Sequence, residues 1–239
     1  MKFAFVLSSV ICFFLICQPS FGDIESDLVA YYNMEGLTGS VGEQLTDLSG
    51  NEHHGIARSN QSTLKAPTIV PGPDGLGEAT SYDGNFYFQI PNHADFNITN
   101  QITIAAWFRV GQFNTEWQTM FCRGDWSWRI ARNGSTNGTS FHLSGFGSNW
   151  GSSGSINVND GQWHHLVGVW SGSGQTSKLW IDGQRDTNSD VILTGSISTS
   201  GSDPVTIGAQ INSGTLRRQW IGSLDEVRLY NLALTDSEV

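Results

Sequence analysis

Residues 116–129 (EWQTMFCRGDWSWR) bring Trp117, Trp126 and Trp128 close in sequence to Arg123, Asp125 and Arg129. Indole faces stack on the apolar face of a sugar ring, and neighbouring guanidinium and carboxylate groups bond its hydroxyls. Trp126 and Trp128 have the spacing of two residues on one face of a strand. A further aromatic, Trp150, stands beside Asn149 in the glycine-rich stretch 145–154 (GFGSNWGSSG), which reads as a flexible loop. Trp220 follows Arg217 in a similar setting. These features nominate Trp117, Trp126, Trp128, Trp150 and Arg129 as ligand contacts. The plainer alternative is that loop aromatics plug a large core.

Oxygen donors suggest a second chemistry. Calcium takes six to eight oxygens from carboxylates, amide side chains and carbonyls. Residues 45–55 (LTDLSGNEHHG) offer Asp47 and Asn51 in a turn, and Asp225 interrupts the strand-like run 224–229, where an unpaired carboxylate is costly to bury. Two readings stay open: calcium ligands, or a turn cap at Asp47 and an ion pair between Asp225 and an arginine such as Arg228. The adjacent histidines are poor chelators. His164 and His165 point to opposite faces of a strand, nothing else supports an ion at His53 and His54, and no zinc spacing is present.

Catalytic patterns are weak. Glycoside hydrolysis requires two carboxylates roughly 5–10 Å apart. On one strand that means acids at i and i+2, and such pairs occur only as Asp23/Glu25, Glu25/Asp27 and Asp236/Glu238. A lyase pairing Tyr or His with Arg finds no supporting spacing at His142 or Tyr87. Arg123-Gly124-Asp125 reads as a turn rather than an adhesion tripeptide. The residues point to a domain without enzyme activity.

These side chains must be positioned by strands. Short runs rich in Val, Ile, Phe, Trp and Tyr alternate with Gly, Ser, Asn and Asp clusters, and no heptads or amphipathic helices interrupt them. Strands are expected at 28–34, 86–90, 102–110, 126–131, 140–143, 163–170, 178–181, 205–207 and 222–230. In 102–110, Ile102, Ile104, Ala106 and Phe108 face one way, with Thr103, Ala105, Trp107 and Arg109 opposite. Pro67, Pro71 and Pro73 mark an irregular loop. At the start, Lys2, an apolar run from Phe3 to Cys17 and small residues at Ser20 and Gly22 make residues 1–22 a signal peptide, so the product is secreted, extracellular or on the cell surface. Removal of Cys12 and Cys17 leaves Cys122 as the one cysteine, too few for an internal disulfide and apolar enough in context to be buried. The formal charge of −10 argues against nucleic acid and anionic membrane as partners. No membrane span is expected after the leader. The remainder, 24–239, reads as one domain, with Thr235 and Glu238 spaced as a capping box.

Several segments occur in the order of a known family: LVAYYNMEG (28–36), LTDLSGNEHHGIA (45–57), SYDGNFYFQIPNHADFNI (81–98), ITIAAWFRV (102–110), GQWHHLVGVW (161–170), KLWIDG (178–183) and IGSLDEVRLYNLALTDSEV (221–239). The chain resembles a laminin-G-like, concanavalin A-like jelly-roll domain over nearly all of 24–239. The resemblance implies an all-β, two-sheet antiparallel sandwich, often with structural calcium, and roles in carbohydrate or protein binding rather than one activity. It also implies that the first and last strands lie side by side and clasp the cation, bringing Glu35 to Asp225. The expected calcium set is therefore Asp47, Asp225, Asn51 and Glu35. The expected function is non-catalytic recognition of a polysaccharide or glycoconjugate. An adhesion or structural module that contacts a cell-surface protein is the alternative, ahead of a divergent polysaccharide-degrading enzyme.

Overall fold

The computed structural model describes residues 24–60, 65–73, 75 and 77–239. The expected signal peptide, 1–22, lies outside the described residues. Two antiparallel sheets face one another. In the first, the order is Gln184–Arg185, Thr176–Ile181, Trp163–Ser171, Gln101–Arg109, Ile221–Tyr230, Glu78–Asp83 and Thr68–Pro71. Leu28–Tyr32 pairs with the distal half of Ile221–Tyr230, and Val191–Ile192 with Thr176–Ile181. In the second sheet the order is Asn149–Ser153, Thr139–Phe146, Trp128–Arg132, Thr119–Arg123, Val205–Ile207, Phe86–Ile90, Gly55–Ser59 and Gln44–Leu45.

The period-two alternation decides what lies between the sheets. Ile102, Ile104, Ala106 and Phe108 are fully buried, as their alternation requires. In the second sheet, register aligns Ala57, Phe88, Ile207, Phe121, Ile130 and Phe141 in one inward row. The chain neighbours of three of these residues, Cys122, Arg129 and His142, therefore form a row on the outer face. The sheets meet closely at Gly168, where an added Cβ would lie 2.5 Å from Cγ of Phe141 on the opposite sheet.

Outside the second sheet, a hairpin of Gln210–Asn212 and Thr215–Arg217 packs through Ala209, Ile211 and Leu216 on Tyr87. That cover explains why Cys122 is fully buried, its thiol pushed up to about 11 by burial. Outside the first sheet, Ala233, Leu234 and Val239 pack on Ala105, Val167, Val169 and Trp180. Trp107 lies on that outer face and remains half-buried.

Several expectations need correction. Residues 145–154 contain a strand, Asn149–Ser153, and the proline-marked loop contains another, Thr68–Pro71. Pro71 is tolerated there because the strand is at the sheet edge and need not donate every N–H. Trp220 is fully buried, not loop-exposed. One capping-box bond exists, Glu238 accepting from the Thr235 N–H at 2.7 Å, but the segment is a turn.

Candidate functional site

Arg129 and His142 of this row form the floor of a cleft of about 440 Å³ beside the outer hairpin, which covers Cys122. Trp117, Trp126 and Trp150 form its walls, and Asp125, Arg218, Ser148, Asn149 and Ser153 add to its polar lining. Trp126 and Trp150 are 50% and 47% exposed, which is unusual for so large an apolar group. Trp150 stacks on His142, with ring centroids 5.2 Å apart and planes at 23°. Trp117 adopts a left-handed backbone (φ 57) and its ring lies 5.8 Å from the Arg129 guanidinium and 5.9 Å from that of Arg218. Gly151 contributes by lacking a side chain: at φ 97, an added Cβ would lie 2.1 Å from the Phe141 carbonyl oxygen.

The floor is charged and fixed. Arg129 is only 2% exposed and donates to Asp125 Oδ1 at 2.5 Å; Arg218 donates to the same oxygen at 3.0 Å and to Gln210 at 2.8 Å. Burial alone would raise the Asp125 carboxyl, but Arg129, with Gln210 and Arg218, outweighs it and holds it at about 2. Burial, reinforced by Arg129, lowers His142 to about 3, so its imidazole is neutral at ordinary pH. The Nε of Arg129 is a buried donor without a partner among the described residues.

The structure brings together four of the five nominated ligand contacts: Trp117, Trp126, Trp150 and Arg129. Trp128 is the exception and corrects the shared-face expectation. The strand begins at Trp128, so Trp126 lies in the preceding bend and strand alternation does not relate the two. Trp128 is fully buried against Phe121, and its indole N–H donates to the Phe96 carbonyl at 3.3 Å. His142 and Arg218 stand outside the expected set, because strand register and the outer hairpin carry them to the cleft. Arg123 is 3% exposed, in keeping with the turn reading of Arg123-Gly124-Asp125.

The four nominated calcium ligands separate into two pairs. Asp47 accepts the N–H groups of Tyr31, Ser49 and His53 and the Ser49 hydroxyl, at 2.8–3.0 Å. These four bonds fill the acceptor sites of a carboxylate. Asn51 donates to the Leu28 and Val29 carbonyls. Both residues thus fasten the Leu28–Tyr32 strand, Asp47 in the manner of the turn-cap alternative. Asp225 differs. It is fully buried at a bulge where Glu226 has φ 52, and its Oδ1 accepts only the Glu226 N–H. Its Oδ2 has no hydrogen-bond partner among the described residues. Burial, with added repulsion from Glu226 and Glu35, pushes its carboxyl up to about 8. Arg228 pairs with Glu226, not Asp225. Glu35, which accepts the Glu78 N–H at 2.8 Å, is close enough for its charge to act on Asp225.

A family model described as the concanavalin A-like lectin/glucanases superfamily matches residues 83–239. The chain belongs to this superfamily. Its laminin-G-like segments thus fall within a superfamily whose sandwich is the one observed. Among solved structures, the binding domain of Paraclostridial Mosquitocidal Protein 1 is 17% identical, with a TM-score of 0.66, over 90% of this chain and 51% of that one. Domain 4 of AbnA, a GH43 extracellular arabinanase from Geobacillus stearothermophilus, in complex with arabinotriose, is 22% identical, with a TM-score of 0.64, over 89% and 96%. Trypanosoma rangeli sialidase is 15% identical, with a TM-score of 0.57, over 89% and 32%. The chain spans about half the length of the first of these and nearly all of the second. At such identities the likeness establishes the fold. A sequence comparison with curated proteins finds no match. Among the described residues, no helix is long and apolar enough to cross a membrane.

Proposed function

We propose that this chain is a secreted, non-catalytic recognition domain that binds a polysaccharide or glycoconjugate in the cleft walled by Trp117, Trp126 and Trp150. The observation that carries the reading is the pair of half-exposed indoles, Trp126 and Trp150, over a fixed polar floor. Sugar rings need this combination of apolar faces and oriented donors and acceptors. The matched unit of the arabinanase is a separate domain solved with arabinotriose, which supports the same reading.

Two features of the cleft favour binding over hydrolysis. Asp125 is the one carboxylate in its lining among the described residues, and the arginines keep it ionised, so it cannot act as a general acid near neutral pH. His142, at about 3, is too weak a base to abstract a proton there.

Calcium is proposed as a structural ion at Asp225 and Glu35. The support is the buried, unpartnered Asp225 oxygen, which needs either a proton or a cation. Glu35 supplies a second carboxylate, and a hard divalent ion accepts such oxygens.

A glycan array probed with the wild-type protein and Trp150→Ala tests the main proposal. The expected result is retention of a defined glycan set by the wild type and its loss in the variant. Binding to cell-surface protein but to no glycan would favour the adhesion alternative. Release of oligosaccharides from a polysaccharide panel would favour an enzyme.

A further inference from the structure

We propose that His53, His93 and Asp95 form a site for a divalent first-row transition-metal ion, of which zinc is the test case. The three come from two separated turns. His53 precedes the Gly55–Ser59 strand, while His93 and Asp95 belong to the 3-10 turn Ala94–Phe96 and its N-cap. His53 Nε2 lies 3.0 Å and His93 Nδ1 3.1 Å from one atom, Asp95 Oδ2. All three ligand atoms lie within 4.8 Å of one another.

One contact in this group calls for a positive centre. His93 Nδ1 accepts the Asp95 backbone N–H at 3.3 Å, so in the neutral ring that nitrogen carries a lone pair. The same lone pair faces the carboxylate oxygen 3.1 Å away. Two acceptors at that distance repel unless a proton or a metal ion lies between them, and a metal ion there also meets His53 Nε2.

The donor types select the ion. Imidazole nitrogen suits zinc, copper and nickel, whereas calcium and magnesium take oxygen almost exclusively. With zinc–ligand bonds of about 2.0–2.1 Å, the edges of a tetrahedral site are roughly 3.3 Å. Two of the three edges here, at 3.0 and 3.1 Å, are already close to that. The third closes by rotation of His93, whose side chain is 56% exposed. The cost is the long N-cap bond from the Asp95 N–H.

His53 is the rigid member of the group. Its N–H is bound to Asp47 at 3.0 Å, its carbonyl accepts the Tyr32 hydroxyl at 2.6 Å, and its ring packs on Phe96 at 4.7 Å. Asp95, 49% exposed, and His93 leave an open side from which an ion can enter and a water can complete the coordination. The ion would tie the turn at Asp47–His53 to the turn at His93–Phe96. This site is separate from the tryptophan cleft and from the Asp225–Glu35 oxygens, so it stands or falls without either.

Metal-stripped full-length chain is titrated with zinc chloride in competition with a chromogenic chelator, in parallel with His93→Ala and Asp95→Asn. Both substitutions are at exposed positions, and the metal-free melting temperatures serve as the check on folding. The wild type is expected to take up one equivalent. Loss of an outer-shell partner alone costs about 10–100-fold in affinity, so each variant should bind at least about tenfold more weakly. Copper(II) bound to the wild type should show nitrogen coupling from two imidazoles, and from one fewer in His93→Ala. Millimolar calcium should leave zinc binding unchanged. No zinc uptake, or equal uptake by the wild type and His93→Ala, overturns the assignment; the latter would place the ion on other histidines.

Discussion

Arg129 holds the cleft floor together. Its buried guanidinium balances Asp125 and supports the Trp117 ring. Arg129→Ala should destabilise the fold by about 2–3 kcal/mol, between the values for exposed and fully buried pairs, as read by denaturant unfolding. Arg129→Lys should recover only part of this, because an ammonium lacks the planar fork. Proton linkage at the floor has a definite sign. Asp125, depressed to about 2, contributes stability above the ordinary carboxylate range that is lost as pH falls toward 2. His142, depressed to about 3, favours the neutral ring, so its contribution is lost as pH falls from about 6.5 to 3. Neither group changes charge above about pH 4, so titration calorimetry should find glycan affinity nearly flat from pH 4 to 8. At this scale the sequence was informative where chemistry is local. Trp117, Trp126 and Arg129 are close in the chain, and their types alone suggest a sugar surface. His142 and Arg218 reach the cleft only through strand register and the outer hairpin, which no local pattern encodes.

The bulge in the Ile221–Tyr230 strand is the element with the clearest consequence. Leu28–Tyr32 occupies one half of this strand's edge and Glu78–Asp83 the other, and Asp225 lies between them. In metal-free protein, a carboxyl raised to about 8 favours the protonated form, so its contribution is present below the ordinary aspartate range. Stability should therefore fall as pH rises from about 4 to 8 in EDTA. Added calcium should raise the melting temperature most at the upper end of that window. Asp225→Asn should remove both the pH slope and the calcium effect; a calcium shift that survives the substitution would exclude this site. The adjacency of the first and last strands followed from the family resemblance, and so did the proximity of Glu35. The strand Asn149–Ser153 was hidden by its Gly and Ser content. Its ladder with Thr139–Phe146 supplies the order that its own propensity does not, with Gly151 required by its φ of 97.

Across the whole molecule, the two sheets communicate through a few close contacts, and Gly168 against Phe141 is the tightest of those described above. Phe141 precedes His142, so the inner packing of one sheet sets the outer floor of the other. Gly168→Val should destabilise by roughly 1–3 kcal/mol through overpacking and should also weaken ligand binding, although Gly168 is on the opposite sheet. Alternation along 102–110 and the other short apolar runs was enough to indicate an all-β chain, and the family resemblance implied the two-sheet sandwich. The location of the site on that sandwich was not legible, because both outer faces carry tryptophans: Trp107 and Trp163 on one, Trp117, Trp126 and Trp150 on the other. The measurement that separates these faces is a proton–nitrogen correlation spectrum of the indole N–H groups during titration with a glycan retained on the array. The account predicts that the Trp126 and Trp150 resonances shift most, with Trp117 following, while those of buried Trp170 and Trp220 stay in place. Shifts confined to Trp107 and Trp163 would put the sugar on the other sheet and contradict it.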